Sequence, residues 1–162
     1  MIRKVRFVLC VAVLFLAQAA LVHRFSYRFL QPDLLYLTAA FLALEADYKG
    51  ALWGAFALGI LRDLGSSGAI GASPLIFIPA SMGLLFVRDH IRRDSALTDL
   101  LLTFAYVLSG GLVYAVIAGL FGAGHPTDEL VAIAFGQALF TAALSPLFFV
   151  GFTKIGLVRS RA

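Results

Sequence analysis

Hydrophobic positions in this chain gather into six runs with short polar punctuation between them, at about 5–22, 34–48, 50–64, 70–87, 97–123 and 130–157. A bilayer core of ~30 Å takes roughly 20 apolar helical residues, fewer where a helix is short or the membrane thin. Each run therefore reads as a candidate membrane span. The first is interrupted only by Cys10 and Gln18, and the sixth contains Pro146. The second and third are the shortest, and a single re-entrant hairpin is the competing reading for them. That hairpin would put Glu45, Asp47 and Lys49 at mid-membrane, where an ionised group costs about 2.5–3.5 kcal/mol on the insertion scale. Two short, tilted spans joined through water are preferred.

The first run also has features of a secretory signal: basic Arg3, Lys4 and Arg6, an apolar stretch, and Ala17-Gln18-Ala19 as a cleavage-like triplet. Its apolar run continues through Ala20, Leu21 and Val22, and further spans follow, so a retained span is expected. The pattern thus predicts an all-α, polytopic, six-helix membrane bundle forming a single domain over 1–162.

Composition agrees. Of 162 residues, 61% are hydrophobic and 14% charged, against about half and a quarter in soluble domains. Such a chain lacks the polar surface to wrap a water-soluble globule, and disorder and collagen are excluded with it. The single cysteine excludes an intramolecular disulfide. A formal charge of +4 raises nucleic acid as a partner. That reading is rejected, because the basic residues sit at the ends of apolar runs and form no face of their own.

Their distribution sets an orientation instead. With six spans, Arg3, Lys4, Arg6, Lys49, Arg88, Arg92, Arg93, Lys154, Arg159 and Arg161 share one side with both termini, leaving Arg24, Arg28 and Arg62 opposite. The positive-inside rule makes the first side cytoplasmic.

Lipid supplies no hydrophobic drive for helix association, so close packing of small residues counts. The third run carries Gly50-x-x-x-Gly54 and Ala51-x-x-x-Ala55-x-x-x-Gly59. The fifth carries Gly111, Ala115, Gly119 and Ala123, and the sixth Ala134, Ala138 and Ala142. Packing within the bundle is preferred over a subunit interface. Tyr27, Tyr36, Tyr48 and Trp53 fall near span ends and suit an interfacial aromatic belt. Pro146 is expected to bend the sixth span, with Ser145 helping to satisfy the freed backbone.

Chemistry-bearing groups are sparse. Gln18, Thr38, Thr103, Ser109, Gln137 and Thr141 are the clear mid-span polar residues, none with an acid–base partner nearby in sequence. His23, His90 and His125 lie in separate loops, so no shared metal site is expected, and no cofactor motif or nucleophile constellation is recognisable. Two carboxylates stand out. Pro32-Asp33 opens the second span, where proline suits a first helical turn and an aspartate opposes the positive end of the helix dipole. Asp63 closes the third span, where the dipole is negative and an aspartate needs a partner. It precedes a glycine-rich turn, Gly65-Ser66-Ser67-Gly68-Ala69-Ile70-Gly71. Its expected partners are turn N–H groups, or Arg24 or Arg28, and a structural staple is preferred over ligand contact. On this reading Asp63→Asn destabilises more than Asp33→Asn.

At these residues the chain resembles the rod-shape-determining MreD family. The resemblance is carried by Pro32-Asp33-Leu34-Leu35, by the glycine-spaced third span from Gly50 through Gly54 and Gly59 to Asp63, and by Ile70-Gly71-Ala72. Arg62 departs from it, standing where the pattern has an apolar residue. The resemblance implies a six-helix bundle similar to the substrate-binding subunits of ECF-type vitamin transporters. It also implies a non-enzymatic component of the bacterial elongation machinery in the inner membrane, surrounded by membrane lipids. Its partners there would be MreC and, through it, RodA with its class B penicillin-binding protein, above the MreB filament. Pro32, Asp33, Gly50, Gly54, Gly59, Asp63 and Gly71 become structural or partner-docking candidates. The competing reading is an ECF-type solute-binding subunit, which needs polar residues converging from several spans; an intramembrane enzyme is disfavoured.

Overall fold

The computed structural model describes residues 9–18, 20, 33–65, 71–91, 95–120 and 127–155. Pro32, His23, Arg24, Arg28, His125, most of the turn after Asp63, and Arg92 to Asp94 fall outside them. Among the described residues all regular structure is helical: α1 Leu9–Gln18, α2 Leu34–Glu45, α3 Tyr48–Leu64, α4 Ala72–Arg88, α5 Ala96–Leu120 and α6 Thr127–Ile155. Within α5 and α6, Ala96–Ile117 and Asp128–Lys154 are long and apolar enough to cross a membrane.

The centre of the bundle is α2. Every residue from Leu34 to Leu44 is buried, as expected of a helix that is hydrophobic all round. Its neighbours are α3, α4, α5 and α6. Tyr36 packs on Phe77 of α4 and Tyr106 of α5, while Phe41 packs on Phe149 and Phe152 of α6. Tyr36 is therefore not part of an interfacial belt: it is 2% exposed, because its ring fills the space between α2, α4 and α5. Tyr48 and Trp53 are exposed, as a belt requires.

Both ends of α2 are closed by polar groups from the bundle. The last carbonyls of a helix lack intrahelical partners. Arg88, at the end of α4, supplies them: its Nη1 donates to the carbonyls of Ala43 at 2.9 Å, Leu44 at 3.4 Å and Ala46 at 2.8 Å. Its contact with exposed Asp89 at 3.4 Å adds little. Truncation in Arg88→Ala strips these carbonyls of their charged donor. A loss of about 2–3 kcal/mol is expected, measured by denaturation in detergent, with Arg88→Lys recovering part of it. An Arg88→Ala protein as stable as the parent would refute the clamp.

The two longest helices pack along much of their length. The small residues expected to form grooves meet here: Ala115, Ala134, Ala138 and Ala142 are buried, and a Cβ at Gly111 would stand 2.6 Å from the Ala134 Cβ. α6 continues through Pro146. Proline removes the bond to the carbonyl four residues back, and Ser145 Oγ donates to that carbonyl, on Ala142, at 2.8 Å.

Candidate functional site

Polar side chains from several helices converge at the start of α2. Asp33 is the N-cap, and its Oδ1 accepts from the backbone N–H groups of Leu35 and Tyr36, each at 3.1 Å. This satisfies the first orphan donors of the helix and places negative charge at its positive end. Yet Asp33 does more than cap. Oδ1 also accepts from Gln18 Nε2 of α1 at 3.1 Å. Oδ2 accepts from Arg62 Nε of α3 at 3.0 Å and from Gln137 Nε2 of α6 at 3.2 Å. Its own N–H donates to Thr141 Oγ1 of α6 at 3.1 Å. Gln18 reciprocates by accepting from Leu35 N–H at 3.1 Å.

One carboxylate thus joins α1, α2, α3 and α6 while being only 2% exposed. A carboxylate has about four lone-pair positions, and five donors address this one. That saturation suits a junction. Arg62 supplies the compensating charge. Its guanidinium lies 5.0 Å from the Tyr36 ring centroid, a cation–π geometry, and its Nη1 donates to Ser73 Oγ of α4 at 3.1 Å.

Asp63 is a second, adjacent staple. Its Oδ2 accepts from Gly71 N–H at 2.6 Å and its carboxylate also receives Ser73 N–H at 3.2 Å. The expectation that it fixes the following turn through N–H groups agrees with this geometry. Gly71 has φ +102°, where an L side chain is strained, so glycine is required for its N–H to reach the carboxylate. The greater weight given to Asp63 over Asp33 is reversed. Asp33 bridges four helices and is hydrogen-bonded directly to the Arg62 guanidinium, whereas the Gly71 and Ser73 N–H groups that Asp63 holds belong to the α3–α4 turn and the first turn of α4.

The three glycines of α3 have separate neighbours. A Cβ at Gly54 would strike the Leu42 side chain of α2, and one at Gly59 would lie 2.6 Å from the backbone nitrogen of Pro74 in α4. Gly50 is not a helix-packing position. It sits in the first turn of α3, where its N–H donates to Oδ2 of the N-cap residue Asp47 at 3.3 Å and a Cβ would meet Asp47 Oδ1 at 2.8 Å.

Gln18, Gln137, Thr141 and Ser73 are members of the junction that the sequence reading left isolated or unnoticed. A polar side chain in an apolar span is costly without a partner, and that was the signal available for Gln18 and Gln137. Nearby, Ser81 Oγ and Tyr106 Oη pair at 3.1 Å between α4 and α5. Among the described residues no buried side-chain nitrogen or oxygen lacks a hydrogen-bond partner, and no group of three His, Cys, Asp or Glu residues is arranged to hold a metal.

Residues 1–155 match the family model described as rod shape-determining protein MreD. No curated protein and no solved structure matches the chain significantly.

Proposed function

The chain belongs to the rod shape-determining MreD family, and from that premise we propose that it is a non-enzymatic inner-membrane scaffold of the elongation complex. Family membership implies a role in rod shape determination, and together with the two long apolar helices it points to a membrane protein. The proposal adds six spans, cytoplasmic termini, and docking of MreC and, through it, RodA with its class B penicillin-binding protein, above the MreB filament. The observation that carries it is the Asp33 junction, whose donors and acceptors are matched to one another across four helices. Such a network holds helices in one arrangement, as a surface for docking other spanning helices requires.

Depletion in the host tests this reading. Rods should round up, and a tagged copy should co-purify MreC. Unchanged shape on full depletion would defeat it. The second reading, a solute-binding subunit of the ECF type, is favoured by the same convergence of polar groups from several helices. It predicts instead a vitamin requirement on depletion and a thermal shift with that vitamin.

A further inference from the structure

The hydroxyl groups of the bundle fall into two classes. Thr38, Thr103, Ser109, Ser145 and Thr153 each donate to a carbonyl of their own helix at 2.8–3.0 Å. A hydroxyl carries one proton and two acceptor positions, so these five have spent their donors. Tyr36, Ser81 and Tyr106 differ. They adjoin one another where α2, α4 and α5 meet, and among the described residues they share one hydrogen bond, the 3.1 Å contact of Ser81 Oγ with Tyr106 Oη. Whichever of these two donates, the proton of the other has no acceptor. Tyr36 Oη makes no hydrogen bond among the described residues.

Tyr36 is the sharper case. It is 2% exposed, and a tyrosine buried to that extent usually has a partner for its hydroxyl. Its ring is not free to turn in search of one. The Phe77 ring lies 4.3 Å away and the Tyr106 ring 6.0 Å away between centroids, and the Arg62 guanidinium stands 5.0 Å from its centre. Gly110 of α5 closes on its far edge, where a Cβ would be 2.6 Å from Oη and 2.7 Å from Cε1. Every side-chain oxygen sealed within the described bundle has a partner. Oη has none, so the small exposed part of Tyr36 includes its hydroxyl, and a narrow space opens there.

Charge selects what can fill that space. Asp33 already neutralises the guanidinium beside the ring, and Asp63 follows Arg62 on α3. An anion would be added next to two carboxylates, and a cation next to an arginine. The other walls are aromatic. We propose that Tyr36 Oη donates to a neutral oxygen acceptor bound between α2, α4 and α5, either a water molecule or the hydroxyl or carbonyl group of a small organic molecule. Water needs at least two polar partners, and the spare proton of the Ser81–Tyr106 pair lies across the Tyr36–Tyr106 contact. The inference is independent of the choice between the scaffold and the solute-binding readings, and an organic occupant favours the second.

Tyr36→Phe removes the hydroxyl and keeps the ring, with its contacts to Phe77, Tyr106 and Arg62. Deleting a buried donor that has no acceptor leaves a protein equally or more stable, whereas deleting one that holds an acceptor costs stability. The sign of the change therefore decides. For the full chain in detergent, Tyr36→Phe is expected to lower the denaturation midpoint, with about a fivefold rise in the unfolding constant. Tyr106→Phe, which loses the bond to Ser81, sets the scale for one internal hydroxyl. A midpoint in Tyr36→Phe that is unchanged or raised overturns the proposal, whatever depletion in the host shows. The source of the oxygen is read by unfolding parent and Tyr36→Phe proteins in methanol and identifying the released small molecules by mass spectrometry. An organic compound near one per chain in the parent and lost from Tyr36→Phe identifies the organic occupant. A lowered midpoint with no such difference assigns the site to water.

Discussion

Asp33→Ala is expected to cost about 3–5 kcal/mol, the range for breaking a buried ion pair by removing one partner, and to abolish support of rod shape in the host. The reason is what remains behind. Arg62 loses its direct carboxylate partner in the interior, while Gln18 and Gln137 each lose an acceptor. The first turn of α2 loses its cap, usually worth about 1 kcal/mol alone. Asp33→Asn retains an oxygen for the cap and should fall between the parent and the alanine variant. It should be less stable than Asp63→Asn, a change that touches the backbone donors of Gly71 and Ser73 rather than a direct ion pair between helices. Detergent denaturation midpoints of the three proteins give the order. Removing both members of the pair, in Asp33→Ala with Arg62→Met, should recover stability relative to Asp33→Ala, since two uncharged groups carry no uncompensated charge. Additive losses in that double variant would show that the pair is not the source of the effect.

Much of the fold was written in the hydrophobic runs. Their limits lie within a few residues of the described helices for α2 to α6, because a span must end where its polar flanks begin. The two carboxylates were legible too, since a helix terminus states what charge it prefers. The junction they belong to was not. Asp33 and Arg62 are 29 positions apart, and Asp33 and Gln137 are 104 apart. No spacing rule along one helix reports contacts of that kind. Arg62 illustrates the difficulty: it appeared as a departure from the family pattern beside Asp63, yet its carboxylate partner is on another helix.

The core position of α2 was hidden for a different reason. In water, an all-round apolar helix announces burial. In lipid, a helix facing acyl chains and a helix enclosed by protein need the same apolar surface, so Leu34 to Leu44 carried no mark of which it was. The aromatic belt failed at Tyr36 on the same ground, because proximity to a span end does not say whether the ring points to the headgroups or to Phe77 and Tyr106. The small-residue stripes were visible as a set but not as individual contacts: Gly50, Gly54 and Gly59 look alike in sequence and face a cap, a flexible side chain and a backbone.

That last distinction has the second large consequence. Gly59→Ala should destabilise by about 3 kcal/mol, the upper part of the overpacking range, although alanine is the better helix former. The added methyl would stand 2.6 Å from the Pro74 nitrogen and 2.8 Å from its Cα. A backbone cannot rotate aside as a side chain can, so α3 and α4 must separate. Ser73 precedes Pro74, and through it Asp63 and Arg62 both hold the start of α4, so the same displacement loosens the junction. Gly54→Ala meets the far end of the Leu42 side chain, which can adjust, and should cost less than about 1 kcal/mol. Gly83→Ala has nothing within 4 Å and should be neutral or slightly stabilising. The three midpoints in one detergent test the order, and co-purification of MreC should fail for Gly59→Ala alone. A Gly59→Ala protein as stable as Gly83→Ala would mean that the close approach of α3 to Pro74 is not a feature of the folded bundle.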